Sequence, residues 1–349
     1  MSTYIKRIIL AVALLGLVVA GIFAYTIYNN LFSPNTAFEN EEAHIYIKTG
    51  ASYRDVRQEL QPLLKDMDAF DAVADRKGYV NHISPGHFII QKGSGNNEII
   101  NAIRSGNIPI KISFNNQERL EDLAGRVAEQ IEADSLSLIT SFTDSTFLKK
   151  QHLDRANAMS LFLPNTYEFY WNTGAKDFRN RMVQEHERFW TAEKIAKAKK
   201  HGLTPEQVYT LASIVQKETA KVDERPRVAG VYLNRFKNGW KLDADPTVIY
   251  AVKKAENNFD KVIKRVLYKD LELESPYNTY QNVGLPPGPI FMPDLSSINA
   301  VLNPEDHDYY FFVADTSRPG YHLFAKTMRQ HNQNRQQYIK WINKQGVNR

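Results

Sequence analysis

Residues 8 to 28, IILAVALLGLVVAGIFAYTIY, carry no charged side chain, and this constrains the chain more than any other feature. As a helix rising about 1.5 Å per residue, the run reaches about 31 Å, the hydrocarbon thickness of a bilayer. It exceeds the roughly 7–15 residues of a signal-peptide apolar region and lacks a small-x-small cleavage site, so a retained transmembrane helix is predicted rather than a cleaved leader. Lys6 and Arg7 precede it, and Glu39, Glu41 and Glu42 follow. The positive-inside rule then puts residues 1–7 in the cytoplasm and the bulk of the chain on the far side of the membrane, with Tyr25 and Tyr28 at the outer interface.

With 43% hydrophobic and 24% charged residues in 349, the rest suits an ordered protein of about two domains. The absence of cysteine rules out disulfides, a lipoprotein anchor and thiolate metal or redox chemistry. Net charge is +5, and setting aside Lys6 and Arg7 lowers it by two for the part beyond the helix. That excess is too small to point to nucleic acid.

Residues 29–43 are polar, contain Pro34 and lack helical periodicity, so they read as a tether. Beyond them His44 to Lys48 alternate as a strand, Ser52 and Asp55 can start a helix through Leu64, Ala69 to Lys77 form a second helix, and His87 to Gln91 form a second strand. That β-α-α-β order resembles a LysM-like module, a small fold that binds peptidoglycan sugar in cell-wall proteins; a spacer without sugar affinity has the same pattern. A helix from Asn96 to Ser105 and a strand from Pro109 to Phe114 complete residues 44–114. From Glu118 the pattern turns helical, broken by a loop at 161–174, and Lys-rich residues end at Gly202. The fold class is α+β: a transmembrane helix over 8–28, a LysM-like βααβ subdomain over 44–114, and a larger mixed α/β domain over 115–349.

The second informative feature is LASIVQKETA, residues 211–220. Thr204, Pro205 and Gln207 supply the cap, first-turn proline and capping-box partner of the helix that carries it. At about 100° per residue Glu218 falls roughly 20° from Leu211 and 60° from Val215, on the apolar stripe. Desolvation there raises a carboxyl pKa, and an acid protonated near neutral pH can serve as a general acid. Pairing with Arg225 or Arg227 would explain the same glutamate structurally.

Downstream, DERPRVAGVYLNRF at 223–236 reads as a helix, and Asp245 before Pro246 is placed to cap the next one. Residues 275–290, SPYNTYQNVGLPPGPI, form a loop stiffened by four prolines. It can hold Tyr277, Asn278, Thr279 and Tyr280 ready for a carbohydrate, whose C–H faces suit tyrosine rings and whose hydroxyls suit amides; closing a domain edge is the structural alternative. YYFFVAD at 309–315 reads as a buried strand, followed by His322 and His331, and no zinc-binding spacing such as H-E-x-x-H occurs.

SIVQKET with Glu218, the DE-to-NRF run, LDADPTVIY, SPYNTY, GLPPGPI, FFVAD and the H-F-A-x-T-x-x-x-H ending, in this order behind one N-terminal anchor, resemble the MltG/YceG-like endolytic murein transglycosylases. The resemblance covers essentially the whole chain and is most specific over about residues 205–331. It implies an inner-membrane lyase, its catalytic domain on the periplasmic side, that cuts nascent peptidoglycan strands internally and leaves 1,6-anhydro-N-acetylmuramic acid ends. No cofactor or metal is implied, the partners are glycan strands and peptidoglycan synthases, and Glu218 aligns with the catalytic glutamate. Tyr277, Asn278, Thr279, Tyr280, Asp245 and Tyr167 are the substrate-binding candidates. Gln216 stands where the family often has Glu, and Asn165 where Asp is usual, which weakens any mechanism needing a second carboxylate at those places. Two alternatives remain open at this level: a muramidase in which Asp245 activates water, and a non-catalytic wall-binding scaffold.

Overall fold

The computed structural model describes residues 3–344; the ends of the predicted segments 1–7 and 115–349, namely residues 1, 2 and 345–349, lie outside the described residues. The chain divides into two compact units, one of Met1–Ile112, Gln130–Glu132 and Tyr167–Thr173, the other of Ser113–Glu129, Ala133–Thr166 and Gly174–Arg349.

In the first unit α1 (Thr3–Phe32) is longer than the uncharged run and is long and apolar enough to cross a membrane. After it come β1 (Glu42–Ile47), α2 (Tyr53–Leu60), α3 (Met67–Arg76), β2 (Gly86–Gln91), α4 (Asn96–Ser105) and β3 (Pro109–Phe114), whose last two residues belong to the second unit. The β-α-α-β order is the expected one. β1 and β2 pair antiparallel from Glu42 opposite Gln91 to Ile47 opposite Gly86, and period-two alternation turns Ile45 and Ile47 inward. They meet Val56 and Leu60 of α2, Phe70 and Val73 of α3, and Ile99, Ile100 and Ile103 of α4 in one core. The Ser52–Asp55 capping box starts α2 as expected, but the helix stops at Leu60 because Pro62 tightens the chain into a 3₁₀ turn. α3 begins earlier than expected because the Asp66 side chain caps the Ala69 N–H at 2.9 Å.

Residues 29–43 are fastened along much of their length rather than left as a free tether. The buried Asn96 amide donates to the Asn30 carbonyl at 2.8 Å and accepts from Asn35 at 2.7 Å, while Asn35 also binds the backbone of Asp66. Pro34 and Thr36 form β-bridges to Gly95 and Leu64. A Cβ on Gly95 would stand 2.9 Å from the Leu31 carbonyl oxygen, so glycine permits this close approach.

The second unit is mainly helical: α5 (Leu120–Ala128), α6 (Ser135–Phe142), α7 (Ser145–Lys150), then β4 (Asn165–Tyr170, partly in the first unit), α8 (Ala175–Phe189), α9 (Ala192–Lys200), α10 (Pro205–Glu218), α11 (Arg225–Lys237), α12 (Asp245–Ala255), α13 (Tyr268–Leu271), α14 (Leu295–Leu302), β5 (Phe311–Ala314), β6 (His322–Ala325) and α15 (Met328–Lys344). The loop read at 161–174 therefore contains a strand, β4, which pairs with β3. β5 and β6 form an antiparallel hairpin; of its first strand only Phe311 is buried, so YYFFVAD is not the enclosed strand expected.

α10 organises this unit. Its capping box forms as the sequence indicates, with Thr204 N–H donating to Gln207 at 2.9 Å. Every residue from Val208 to Val215 is buried, because α9, α11, α12 and α14 surround the helix. The apolar stripe expected from periodicity is thus a fully enclosed segment, and Glu218 lies at the helix's last position.

Candidate active site

Helix α10 ends at Glu218 because Thr219 turns to extended backbone (φ −136°, ψ 131°). Thr219 is held there: its buried hydroxyl donates to Glu224 at 3.0 Å and accepts from the Lys221 N–H at 3.1 Å. The negative end of the helix dipole opposes ionisation of a carboxyl placed here. On α11, Tyr232 is 1% exposed and donates its hydroxyl to Glu218 Oε1 at 2.6 Å. Oε2 has no hydrogen-bond partner among the described residues, so Tyr232 leaves it as the oxygen able to carry and deliver a proton.

Burial pushes the Glu218 pKa up to about 7; the negative charge of Asp245 adds to the rise, while the Tyr232 hydrogen bond and the Arg235 charge oppose it. Burial and the neighbouring Glu218 also hold the Tyr232 hydroxyl well above its usual range, so it stays a donor. The arginines expected as structural partners are engaged elsewhere. Arg225 pairs with Asp294 at 3.2 Å and Arg227 with Glu305 at 2.9 Å.

Asp245 is not the cap of α12. Ala244 occupies the cap, without a side-chain bond, and Asp245 is the first helical residue. Its Oδ1 accepts from the Tyr280 hydroxyl at 2.7 Å, so each carboxylate is held by one tyrosine. The turn before it is strained: Asp243 has φ +47°, uncommon for a residue with a Cβ. Arg235 braces that turn, donating to the Leu242 and Tyr310 carbonyls and standing 4.0 Å from Asp243.

Of the four loop residues expected to face sugar, the structure gives two a different place. Asn278 and Thr279 are 0% and 1% exposed. Asn278 donates to the Leu271 and Leu273 carbonyls at 3.0 and 2.8 Å and accepts from the Tyr280 N–H at 2.9 Å. Thr279 Oγ1 accepts from the Ala244 N–H at 3.0 Å and meets Thr247 Oγ1 at 2.8 Å. Asn278 ties the loop to the end of α13 and Thr279 ties it to the start of α12, which sets Tyr280 against Asp245. Tyr277 is buried against Tyr250, with ring centroids 4.8 Å apart. Tyr167, on β4, is buried and belongs to the first unit.

Gln216 has a structural place: it binds the Asp294 carboxylate at 3.1 Å and accepts from Ser297 at 2.6 Å, tying α10 to α14. His322 donates its backbone N–H to buried Glu224 at 2.7 Å and sets its ring nitrogen 2.8 Å from the same carboxylate, while His331 stacks on Phe311 at 5.3 Å. Among the described residues no group of three or more His, Asp or Glu side chains gathers within metal-ligating reach. Sequence reading missed Tyr232, Arg235 and Asp243 as site residues. The signal available for Tyr232 was a hydroxyl-bearing side chain on the apolar face of the helix that follows Glu218.

Geometry of this kind suits proton transfer, and comparison with known proteins gives it a context. The YceG-like family matches residues 45–337. An endolytic murein transglycosylase of Bacillus subtilis (strain 168) is 30% identical over 342 residues, 93% of this chain and 91% of its own length. One from Streptococcus pneumoniae (serotype 2, strain D39) is 24% identical over 91% of this chain and 62% of its own length. Among solved structures, a YceG-like protein from Listeria monocytogenes superposes with a TM-score of 0.56 at 25% identity, covering 84% of this chain and 99% of that one.

Proposed function

The chain belongs to the YceG-like family, and from that premise we propose that it is an endolytic lytic transglycosylase of peptidoglycan, held in the cytoplasmic membrane by α1 with its N-terminus inside. The observation that carries the reading is Glu218, a carboxyl with a pKa raised to about 7 and one oxygen fixed by Tyr232. The names of the relatives supply the substrate class.

In this mechanism protonated Glu218 gives its proton to the glycosidic oxygen between N-acetylmuramic acid and N-acetylglucosamine, and the bond from that oxygen to C1 breaks. The 2-acetamido group supports the cation at C1. The Glu218 carboxylate then takes the proton of the 6-hydroxyl, whose oxygen closes on C1 to form the 1,6-anhydro end. Glu218 regains its proton and no water is consumed, so strand cleavage needs one carboxyl group. Asp245, held by the Tyr280 hydroxyl, adds its negative charge to the rise of the Glu218 pKa. The βααβ part, whose element order supports a LysM-like reading, contacts glycan, and peptidoglycan synthases are the proposed protein partners that deliver strands to be terminated.

The position of Asp245 keeps a second reading distinct, since a tyrosine-held carboxylate could activate water and make the protein a muramidase. Digesting sacculi with the full-length protein in detergent and weighing the products separates the two. Anhydro ends, lighter by one water than reducing ends and lost in Glu218→Gln, support the proposal. Reducing ends would make it a hydrolase, and sacculus binding without shortened strands would make it a scaffold.

A further inference from the structure

The second unit contains a cavity of about 650 Å³ that the proton transfers above leave unused. Helix α12 links it to the site: Asp245 opens the helix, and Tyr250 and Lys254, farther along, line the cavity. At about 1.5 Å per residue these lie roughly 8 and 14 Å along the axis from Asp245. The cavity is therefore too distant for the sugar atoms being cut and close enough for a branch carried by the same strand.

Its lining indicates the chemistry of that branch. The Lys254 ammonium stands 4.9 Å from the Tyr277 ring centroid and 5.8 Å from that of Tyr250. An ammonium over a ring keeps N–H donors directed away from it. The other cations of the wall already face carboxylates: Arg119 is bound to Asp122 and lies 4.8 Å over Phe259, and Arg155 faces Glu121 at 3.6 Å. Lys253 and Lys261 pair with Glu118 and Glu256, whereas Lys254 has no carboxylate partner among the described residues. The wall is also preset by backbone packing, since a Cβ on Gly288 would fall 1.9 Å from the Ala156 carbonyl oxygen.

A free ammonium beside aromatic rings fits a carboxylate on a short aliphatic stem. We propose that this cavity receives the anionic peptide branch that murein carries on its muramic acid, with Lys254 binding a carboxylate and Tyr250, Tyr277 and Phe259 covering the aliphatic part. The inference rests on the transglycosylase reading and makes the enzyme selective for strands that still bear peptides.

The test compares kcat/KM of the full-length protein in detergent on peptide-bearing glycan and on the same strands stripped by an amidase. Wild type is expected to favour the peptide-bearing strands by about tenfold or more, Lys254→Glu to lower that ratio about tenfold through KM, and Lys254→Arg to retain it. Lys254 is exposed, and matching thermal melts verify that the variants fold. A wild-type ratio near one, an equal loss on both substrates, as for a sugar subsite, or no effect of Lys254→Glu would overturn the proposal. Titrating a soluble stem tetrapeptide into Glu218→Gln protein separates this claim from the activity itself. Binding weakened about tenfold by Lys254→Glu supports the cavity even if no strand is cleaved, and absence of binding overturns it.

Discussion

Glu218 carries two opposing influences that can be removed one at a time, and they predict opposite pH shifts. The acid step needs the protonated form, so kcat/KM falls as pH rises through about 7. Tyr232 donates to the carboxylate and holds the pKa down; Tyr232→Phe should move the alkaline limb to higher pH. Asp245 pushes the pKa up; Asp245→Asn should move the limb to lower pH. The kcat/KM profiles of the two variants check both signs. Stability gives a separate reading of the same residue. A carboxyl raised from 4.5 to about 7 on folding favours the native state below its unfolded pKa, and that benefit is lost as pH rises toward the folded value. Glu218→Gln should therefore be inactive yet more stable than wild type by on the order of 2 kcal/mol at pH 8, with the gain absent below pH 4. Denaturant melts at the two pH values measure it.

At the scale of elements, α1 and α4 are joined through Asn96, which is 2% exposed. Replacing it by Ala removes the side-chain donor to the Asn30 carbonyl and one of the two acceptors of the Asn35 amide, at a cost of about 1–3 kcal/mol. Limited proteolysis should then cut between residues 30 and 40 faster than in wild type. What the sequence made legible here was local. The Thr204–Gln207 box, the Ser52–Asp55 box and the stop at Gly202 depend on residues a few positions apart, and all form. What escaped it depends on distant partners. Nothing near Glu218 announces a helix end, because the turn is held by Thr219 on Glu224, itself bound by His322 about a hundred positions away. Asp245 looked like a cap because Asp before Pro usually is one. Thr279 binds the Ala244 N–H instead and leaves Asp245 to Tyr280. Asn278 and Thr279 looked like sugar ligands by residue type, and burial gives them to the scaffold.

For the whole molecule, the sequence made the long apolar N-terminal helix, the βααβ core and the desolvated setting of Glu218 readable, since each rests on composition, periodicity or a contiguous motif. The cluster around Glu218 was not readable, because α10, α11, α12 and the loop after α13 meet only in the folded second unit. In the proposed mechanism one carboxyl group, acting as acid and then as base, cuts the strand without water. The most direct test is digestion by the full-length protein in water enriched in heavy oxygen, followed by mass analysis of the new ends. Anhydro ends that contain no heavy oxygen are the expected product. Incorporation of one heavy oxygen atom per cleavage would contradict this mechanism and assign the reaction to water activated at Asp245.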